Sequence, residues 1–594
     1  MLPIVFCRPA AIAALLLCLS AGAASAAWVH DGTPLCTAAS SQYNVTAIPD
    51  GAGGAVVVWE DARNGAADIY CLRITSAGVP APGWPVDGAP VCTADFDQSG
   101  PHLCSDGAGG AIIAWTDLTP GASIWDVYAN HIDSDGHIAA GWPAATTRGV
   151  AVCTADEHQT GVRIVPDGAG GAFIAWSDFR RVIGDLVVQH LLQTGAVDPL
   201  WPVDGLNAFN DTADQRDPVM LADGAGGCWL AWSDTRSAQS SLGQGYDIDF
   251  ERITSQATPA IGHAVGGLPA TTAVQTQGRS TMVPDGAGGV IIAWDDGRGA
   301  STTGVFTTDI YCQSIDANAA MHAGWPTSSN NRALCTAIGD QDFPLAVSDS
   351  AGGAIVVWRD FRGPMPRVYA THVTATSALA AGWPLNGLSL CSDASGQTQH
   401  VVLADGVGGA FVGWVDIRAA DSDIYATHVR GNGTLAPGWS GAGTAVCAVT
   451  GGAEAPALAT DAQGGAFVFW RDLRTDGGDV YAAHLTANGD ASLLSVAPPA
   501  RSAFAFAVRS GNPANGPAMF ALTLPTETAA TIRILDVTGR VVRTLSQGAT
   551  MSAGEHAIVW DGRDEAGAVA ASGVYFARVE AAGITASARC VRLR

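Results

Sequence analysis

The sequence predicts an all-β chain, an eight-bladed β-propeller closed by its own N-terminal strand and followed by a small β-sandwich. Three observations lead there. The segment DGAGGAVVVWEDAR, starting at Asp50, recurs with its Asp at positions 106, 167, 223, 285, 349, 405 and 461, giving eight copies spaced 56 to 64 residues apart. Each period holds four strand-like segments bounded by turn residues, and four strands per repeat at this spacing make a propeller blade. The eighth copy lacks its last segment, and a matching segment stands before the first copy.

One period illustrates the strands: VVLAD (401–405), GAFVGW (409–414), DIYATHV (423–429) and GTAVCAV (443–449). Alternation in the third places Ile424, Ala426 and His428 on one face and Tyr425, Thr427 and Val429 on the other. The second is apolar or small almost throughout, as a strand covered on both faces should be. WVHDGTPLCTAASSQ (28–42) resembles the blade tail GWPVDGAPVCTADFDQ (83–98), whereas the eighth repeat stops after DVYAAHL (479–485). Residues 34–37 are therefore expected to pair with residues 479–485 as the outermost strand of blade eight, leaving no open sheet edge in the ring.

Composition agrees with this reading. Across 594 residues, 72 Gly and 30 Pro accompany 48% apolar and only 14% charged residues, a pattern of short strands and tight turns rather than disorder. The formal charge of −25 disfavours nucleic acid and anionic lipid as partners. All 30 basic residues are Arg, so Schiff-base, P-loop and general-base lysines are excluded.

Residues 1–26 read as a secretory signal: Arg8, an apolar run from Ala10 to Leu19, and AGAASA ending at Ala26. No later stretch is long and apolar enough to predict a transmembrane segment. The expected organisation is signal peptide 1–26, propeller 27–487, linker 488–503 and C-terminal domain 504–594.

The segments WEDARNGAADIY (59–70) and WVDIRAADSDIY (414–425) resemble the repeats of TolB-like propellers and, more loosely, sialidase-like ones, although the period and blade number differ from TolB. The resemblance implies fold. After the linker, FALTLP (520–525), ATIRILDV (530–537), RVVRTL (540–545), HAIVWDG (556–562) and GVYFARVEA (573–581) alternate like sandwich strands. DVTGRVVRTL (536–545), AGEHAIVWDGRDEAG (553–567) and ASGVYFARV (571–579), with the basic end ARCVRLR (588–594), resemble the FlgD-type Ig-like domain and the C-terminal sorting domains of type IX secretion cargo. The resemblance implies an Ig-like export or surface-attachment module read by secretion machinery.

Candidate sites are weighed against structural roles. The Asp of each DGAGG turn could ligate calcium, but one carboxylate per turn suits backbone capping better. The Asp and Arg of each WxDxR element, such as Asp61 with Arg63, Asp178 with Arg180, Asp360 with Arg362 and Asp416 with Arg418, read as a structural pair, the Arg tying its loop to the Asp that opens the next strand. An Arg cluster around the channel would instead favour anionic ligands. Glu60, Glu157, Glu251 and Glu454 sit in no recognisable catalytic motif. His131, His190, His372, His428 and His484 repeat one per blade and cannot converge on a metal. No cofactor or metal is expected.

Cys36, Cys92, Cys153, Cys335, Cys391 and Cys447 repeat on the outer strand and read as buried thiols. Cys71 with Cys92, and Cys312 with Cys335, are candidate cross-strand disulfides. The loop between second and third strands is short in most blades but long in blades four (237–245) and five (299–308), so Arg236, Gln244, Tyr246, Arg298 and Thr307 are the candidate ligand-binding residues. The expected function is a secreted or surface-displayed bacterial binding or adhesion protein with an unknown extracellular ligand, glycan or protein. A glycan-acting propeller hydrolase or lyase is the alternative, and a passive assembly scaffold a third reading.

Overall fold

The computed structural model describes residues 28–489 and 505–593, apart from 120, 122, 182, 208–212, 237–244, 261–265, 300–306, 420, 476, 509–516, 525–527, 552–553 and 582–583. The expected signal peptide and almost all of the expected linker lie outside the described residues. Contacts divide the chain into two compact units, Met1–Leu494 and Ser495–Arg594.

The first unit is β-propeller-like: eight four-stranded antiparallel sheets, numbered here one to eight in chain order. Sheet one runs Gln42–Pro49, Ala55–Asp61, Asp68–Ile74 and Ala89–Cys92, from inner to outer strand. The inner strands of sheets two to eight are Gln98–Ser105, Gln159–Pro166, Gln215–Ala222, Gln277–Pro284, Gln341–Ser348, Gln397–Ala404 and Ala453–Thr460. Each inner strand contacts its two neighbours in a cycle that returns from sheet eight to sheet one.

The eighth sheet is completed as the sequence requires. Its outer strand is Thr33–Cys36, paired antiparallel with Asp479–Leu485 so that Pro34 lies opposite Tyr481. Arg474 of sheet eight also donates to the carbonyl of Asp31 at 2.6 Å.

Two tryptophans per repeat hold the sheets. The first closes the second strand: Trp59, Trp115, Trp176, Trp232, Trp294, Trp358, Trp414 and Trp470 are all fully buried. Each donates its indole N–H to the Asp two residues on, as Trp414 does to Asp416 at 2.9 Å. The Arg of WxDxR grips that same carboxylate, Arg418 reaching both Asp416 oxygens at 2.8 and 2.7 Å and then the outer-turn carbonyl of Ala442 at 2.9 Å. The expected partner, the Asp opening the next strand, is thus displaced in this role, because the planar guanidinium fork fits the nearer buried carboxylate bidentately. Only in sheet three does a second arginine, Arg181, take the strand-opening Asp185 as well, among the described residues. Sheet two has no Arg at this position, and Arg148 from its outer turn reaches Asp117 instead.

The second tryptophan links neighbouring sheets. Trp84 of sheet one donates to Ser134 O of sheet two at 2.9 Å, and Trp439 of sheet seven to Ala487 O of sheet eight at 3.1 Å. Trp142, Trp201, Trp325 and Trp383 repeat the bond from sheets two, three, five and six. Sheet four has no such residue; there Trp229, from the second strand, reaches Gly288 O of sheet five at 3.3 Å. Trp28 completes the cycle, bonding Ser76 O of sheet one at 3.0 Å while packing on Phe467 and His484 of sheet eight.

The DGAGG turns are self-contained. Asp50 accepts from the N–H groups of Ala52 and Gly54 at 2.7 and 2.8 Å, and its other oxygen takes Arg73. A Cβ on Gly54 would lie 2.1 Å from Ile74 O, so only glycine fits that position. In five sheets the third-strand histidine replaces this arginine, with His131, His190, His372, His428 and His484 meeting the turn carboxylate at 2.8–3.0 Å.

The candidate disulfides are not formed. Cys71, Cys92, Cys312 and Cys335 are free and buried, and the register sets Cys71 opposite Ala89, Cys92 opposite Ile69, Cys312 opposite Arg332 and Cys335 opposite Ile310. Neither pair is directly opposed across the strands. Burial pushes the outer-strand thiols up, Cys92 and Cys335 to about 11 and Cys36, Cys153 and Cys447 to about 12, so they stay protonated.

The second unit has a three-stranded sheet (Ala505–Val508, Ala518–Leu524, Gly554–Trp560) and a four-stranded one (Thr528–Asp536, Val541–Met551, Gly573–Ala581, Ile584–Arg592). Phe520, Leu522, Ile558 and Trp560 of the first share one core with Ile532, Ile534, Tyr575 and Val579 of the second. Tyr575 donates to Ala571 O at 2.7 Å and packs edge-on to Trp560.

Trp28→Ala is expected to cost about 3–5 kcal/mol of first-unit stability, and Trp28→Phe, which keeps an aromatic ring but loses the indole N–H, about 1 kcal/mol. Urea unfolding monitored on the propeller-like unit checks this; equal, negligible effects would show that sheet eight does not depend on the N-terminal segment.

Candidate ligand site at the inner strands

The sequence pattern suggests a first strand of 401–405 in sheet seven, but the strand begins at Gln397. The reason is a bulge. Every inner strand shifts register after its second residue, as between Thr398 and Val401, which breaks the alternation that reveals a strand.

One residue of each bulge takes a positive φ: Asn44, Gly100, Gly161, Asp217, Arg279, Phe343, Gln399 and Ala455, at φ from 47 to 67°. Glycine is the least costly occupant of this left-handed region, and other residues lose about 1 kcal/mol or more there. Sheets two and three have glycine and sheet eight alanine. Sheets four to seven instead carry Asp217, Arg279, Phe343 and Gln399, so one arc of the ring places large or charged side chains where the backbone disfavours them. Backbone strain of this kind concentrates at functional sites.

That arc opens onto two adjoining cavities, which share Asp217 and Arg279. The larger, about 610 Å³, reaches from Arg163 on sheet three to His400 on sheet seven and includes Phe343 and Arg359. The smaller, about 470 Å³, includes Arg216, Tyr246, Asp295 and Thr307.

Charges around the cavities are interlocked. Arg359 donates to both oxygens of Asp342 at 2.8 and 2.7 Å. Arg279 spans Asp295 at 3.1 Å and Asp342 at 3.5 Å. Both guanidiniums lie over the ring of Phe343, at 4.2 and 4.7 Å from its centroid, yet the residue stays 46% exposed. Burial pushes the Asp295 carboxyl up to about 7, an effect opposed by Arg279 and reinforced by Asp342. Burial also holds His400 down to about 4; its neutral ring donates from Nε2 to Phe343 O at 2.8 Å and fixes the bulge from sheet seven. His102 is brought down to about 3 by burial and by Arg163.

Glu60 of sheet one is likewise raised by burial, but its carboxyl is occupied by Asn44 at 2.6 Å, Gly100 N at 2.7 Å and Ser99 at 3.2 Å. Among the described residues no group of three His, Cys, Asp or Glu side chains could hold a metal ion. No helix of the described residues is long and apolar enough to cross a membrane.

Of the residues expected from the long loops, Tyr246 and Thr307 line the smaller cavity, and Tyr246 donates to Asp214 at 2.9 Å. Gln244 lies outside the described residues, as does most of both loops. Arg236 and Arg298 line neither cavity. Arg236 is held by Asp234 and Asp249, and Arg298 by Asp296 at 2.6 Å and the Tyr311 ring at 4.0 Å, so both serve the frame. Sequence reasoning missed Arg163, Arg279, Phe343 and Arg359. A signal was present: at one fixed place near the start of each inner strand, the repeats disagree.

The family profile of the FlgD Ig-like domain matches residues 510–583. No curated protein matches the chain. Among solved structures, polysaccharide lyase Uly1 aligns at TM-score 0.35 and 10% identity, covering 63% of this chain and 88% of its own. The Hadza microbial sialidase Hz136 aligns at 0.30 and 13%, covering 61% and 74%. A Dyadobacter fermentans protein of unknown function aligns at 0.34 and 10%, covering 55% and 94%. At these scores no function passes from them to this chain.

The raised Asp295 sets a pH test. Its folded pKa lies above the ordinary value of about 4, so between about pH 4 and 7 the unfolded chain releases this proton first and stability falls as pH rises. Asp295→Asn removes that loss. Its melting temperature should exceed wild type at pH 8 and match it at pH 3.5; a deficit at pH 8 would mean that the Arg279 pair outweighs burial.

Proposed function

We propose that the chain is an exported, non-catalytic binding protein, an eight-bladed β-propeller that takes its ligand at the channel mouth over sheets three to seven. The observation that carries this reading is the one-sided set of left-handed bulge residues, Asp217, Arg279, Phe343 and Gln399, gathered around a cavity of about 610 Å³. A cavity of this size suits a small ligand or one residue of a larger one. The apolar N-terminal run supports export, and the FlgD-type match supports an Ig-like C-terminal sandwich serving export or surface attachment.

A second reading, a glycan-acting hydrolase, is favoured by one observation: Asp295, raised to about 7, and exposed Asp217 line the same smaller cavity, an acid and a carboxylate of the kind glycoside hydrolysis needs. The Arg279 pair on Asp295 weighs against it, since a carboxyl tied to a guanidinium is poorly placed to donate a proton.

Glycan and protein arrays probed with the full chain and with a Phe343→Ala/Gln399→Ala variant test the first reading. Both side chains are exposed and the variant gives up one exposed hydrogen bond, from Ala455 N to Gln399 at 2.7 Å, so the fold should persist while array signal falls about tenfold or more. Release of reducing ends from a polysaccharide panel, abolished by Asp295→Asn, would replace the binding reading with the hydrolytic one.

A further inference from the structure

Arg163 differs from every other arginine at the channel mouth. It stands on the inner strand of sheet three, two residues past the left-handed Gly161, and lines the larger cavity. Its Nη1 donates to Val162 O at 2.8 Å and to His102 Nε2 at 3.2 Å. Both acceptors are neutral, because burial strips His102 of its proton. No carboxylate of the described residues lies within ion-pair distance of the guanidinium, and Asp217 acts on it only from further away. Arg279 and Arg359 of the same cavity are matched by Asp295 and Asp342.

A guanidinium carries five N–H donors and cannot discharge itself by losing a proton. Taken largely out of water without a counter-ion, it costs several kcal/mol that a matching anion would recover. Burial accordingly lowers its proton affinity. The floor of the cavity is of another character: Val219, the exposed ring of Phe343, Pro344 and Leu345 give it apolar walls. The chain's formal charge of −25 repels anions at long range, but that field is screened within about 10 Å. Among the described residues lining the cavity two charges lack an ion pair: Asp217, which is exposed to solvent, and Arg163, which is the more buried of the two and so gains more from a counter-ion.

Resting on the reading of this mouth as a binding site, we propose that its ligand is an organic anion, a single carboxylate on a ring-shaped or apolar body. The carboxylate lies against Arg163, which supplies it with a counter-charge, and the body lies against Phe343. Selectivity then comes from the unmatched guanidinium, while the ring supplies contact area that is indifferent to charge.

Benzoate and benzamide separate these contributions, since they share a ring and differ by one charge. In calorimetric titrations of the full chain, benzoate should bind about tenfold or more tighter than benzamide, the worth of a charge-assisted hydrogen bond. Arg163→Gln should bring the two within about twofold, Arg163→Lys should keep part of the preference, and Phe343→Ala should weaken both by a similar factor. Unchanged melting temperatures verify that the variants are folded, and the Lys and Ala variants test the idea even where Gln unfolds the chain. Equal affinities for the two probes, or no benzoate binding, overturn the inference. If array binding still depends on Phe343 and Gln399 in that case, the binding reading stands without the anion; loss of both results removes both.

Discussion

The indole hydrogen bonds that pass from each sheet to the next are the constraint on which the first unit depends. A four-stranded antiparallel sheet with both faces apolar must have those faces covered, and apolar packing between sheets, although large, is non-directional. One tryptophan per boundary adds direction: it fills the space between two sheets and fixes their offset through a single N–H to a defined carbonyl. The boundary between sheets four and five shows that the contact matters more than the residue's place in sequence. The usual tryptophan is missing there, and Trp229, from a different strand, reaches a carbonyl of the neighbouring sheet. The boundary between sheets eight and one makes the same point, with Trp28 supplied from the far end of the unit.

A second repeated unit lies inside each sheet. The WxD carboxylate is fully buried, which is tolerable only because the Trp N–H, the following backbone N–H and the Arg fork all converge on it. The arginine then ties the second strand to the outer turn and stacks on the third-strand tyrosine, as Arg418 does on Tyr425 at 3.7 Å. Sheet two keeps the arrangement by bringing Arg148 from its outer turn. Recurrence of Asp, Arg and His therefore reflects the frame, as spacing alone implied.

Much of the fold was legible for that reason. Eight copies of one segment gave the sheets, and the truncated last copy gave the N-terminal strand's partner. What stayed hidden follows from the same regularity. A bulge with a left-handed residue destroys the period-two pattern, so the inner strands read four residues too short and their cavity-lining residues fell in apparent loop. Arg63 and its equivalents were correctly taken as structural but given the wrong acid, because sequence spacing does not tell which of two nearby carboxylates a fork will meet. Cys71 and Cys92 lie on neighbouring strands, yet a register offset keeps them from facing one another. Length singled out the loops at 237–245 and 299–308, and among the described residues Tyr246, Thr307 and Thr308 at their ends reach a cavity.

The frame also explains where variation can be accommodated. A change at the tryptophan, the WxD carboxylate or the DGAGG turn disturbs contacts between or within sheets, so those positions stay alike around the ring. The bulge side chains make contacts that differ from sheet to sheet, Asn44 with Glu60 at 2.6 Å, Arg279 with Asp295 at 3.1 Å and Gln399 with Ala455 N at 2.7 Å. The strained φ lies between paired stretches of the ladder, and in sheets two, four, six and eight the bulge residue is followed by a proline, Pro101, Pro218, Pro344 and Pro456. A residue there can change at the cost of its own backbone strain and of these local contacts, none of which is repeated around the ring. Four neighbouring sheets carry Asp, Arg, Phe and Gln at this position, and the opposite arc has Gly, Gly, Ala and Asn. Stability imposes eightfold likeness; the departure from it is confined to one side of the mouth, where a ligand would impose a different requirement.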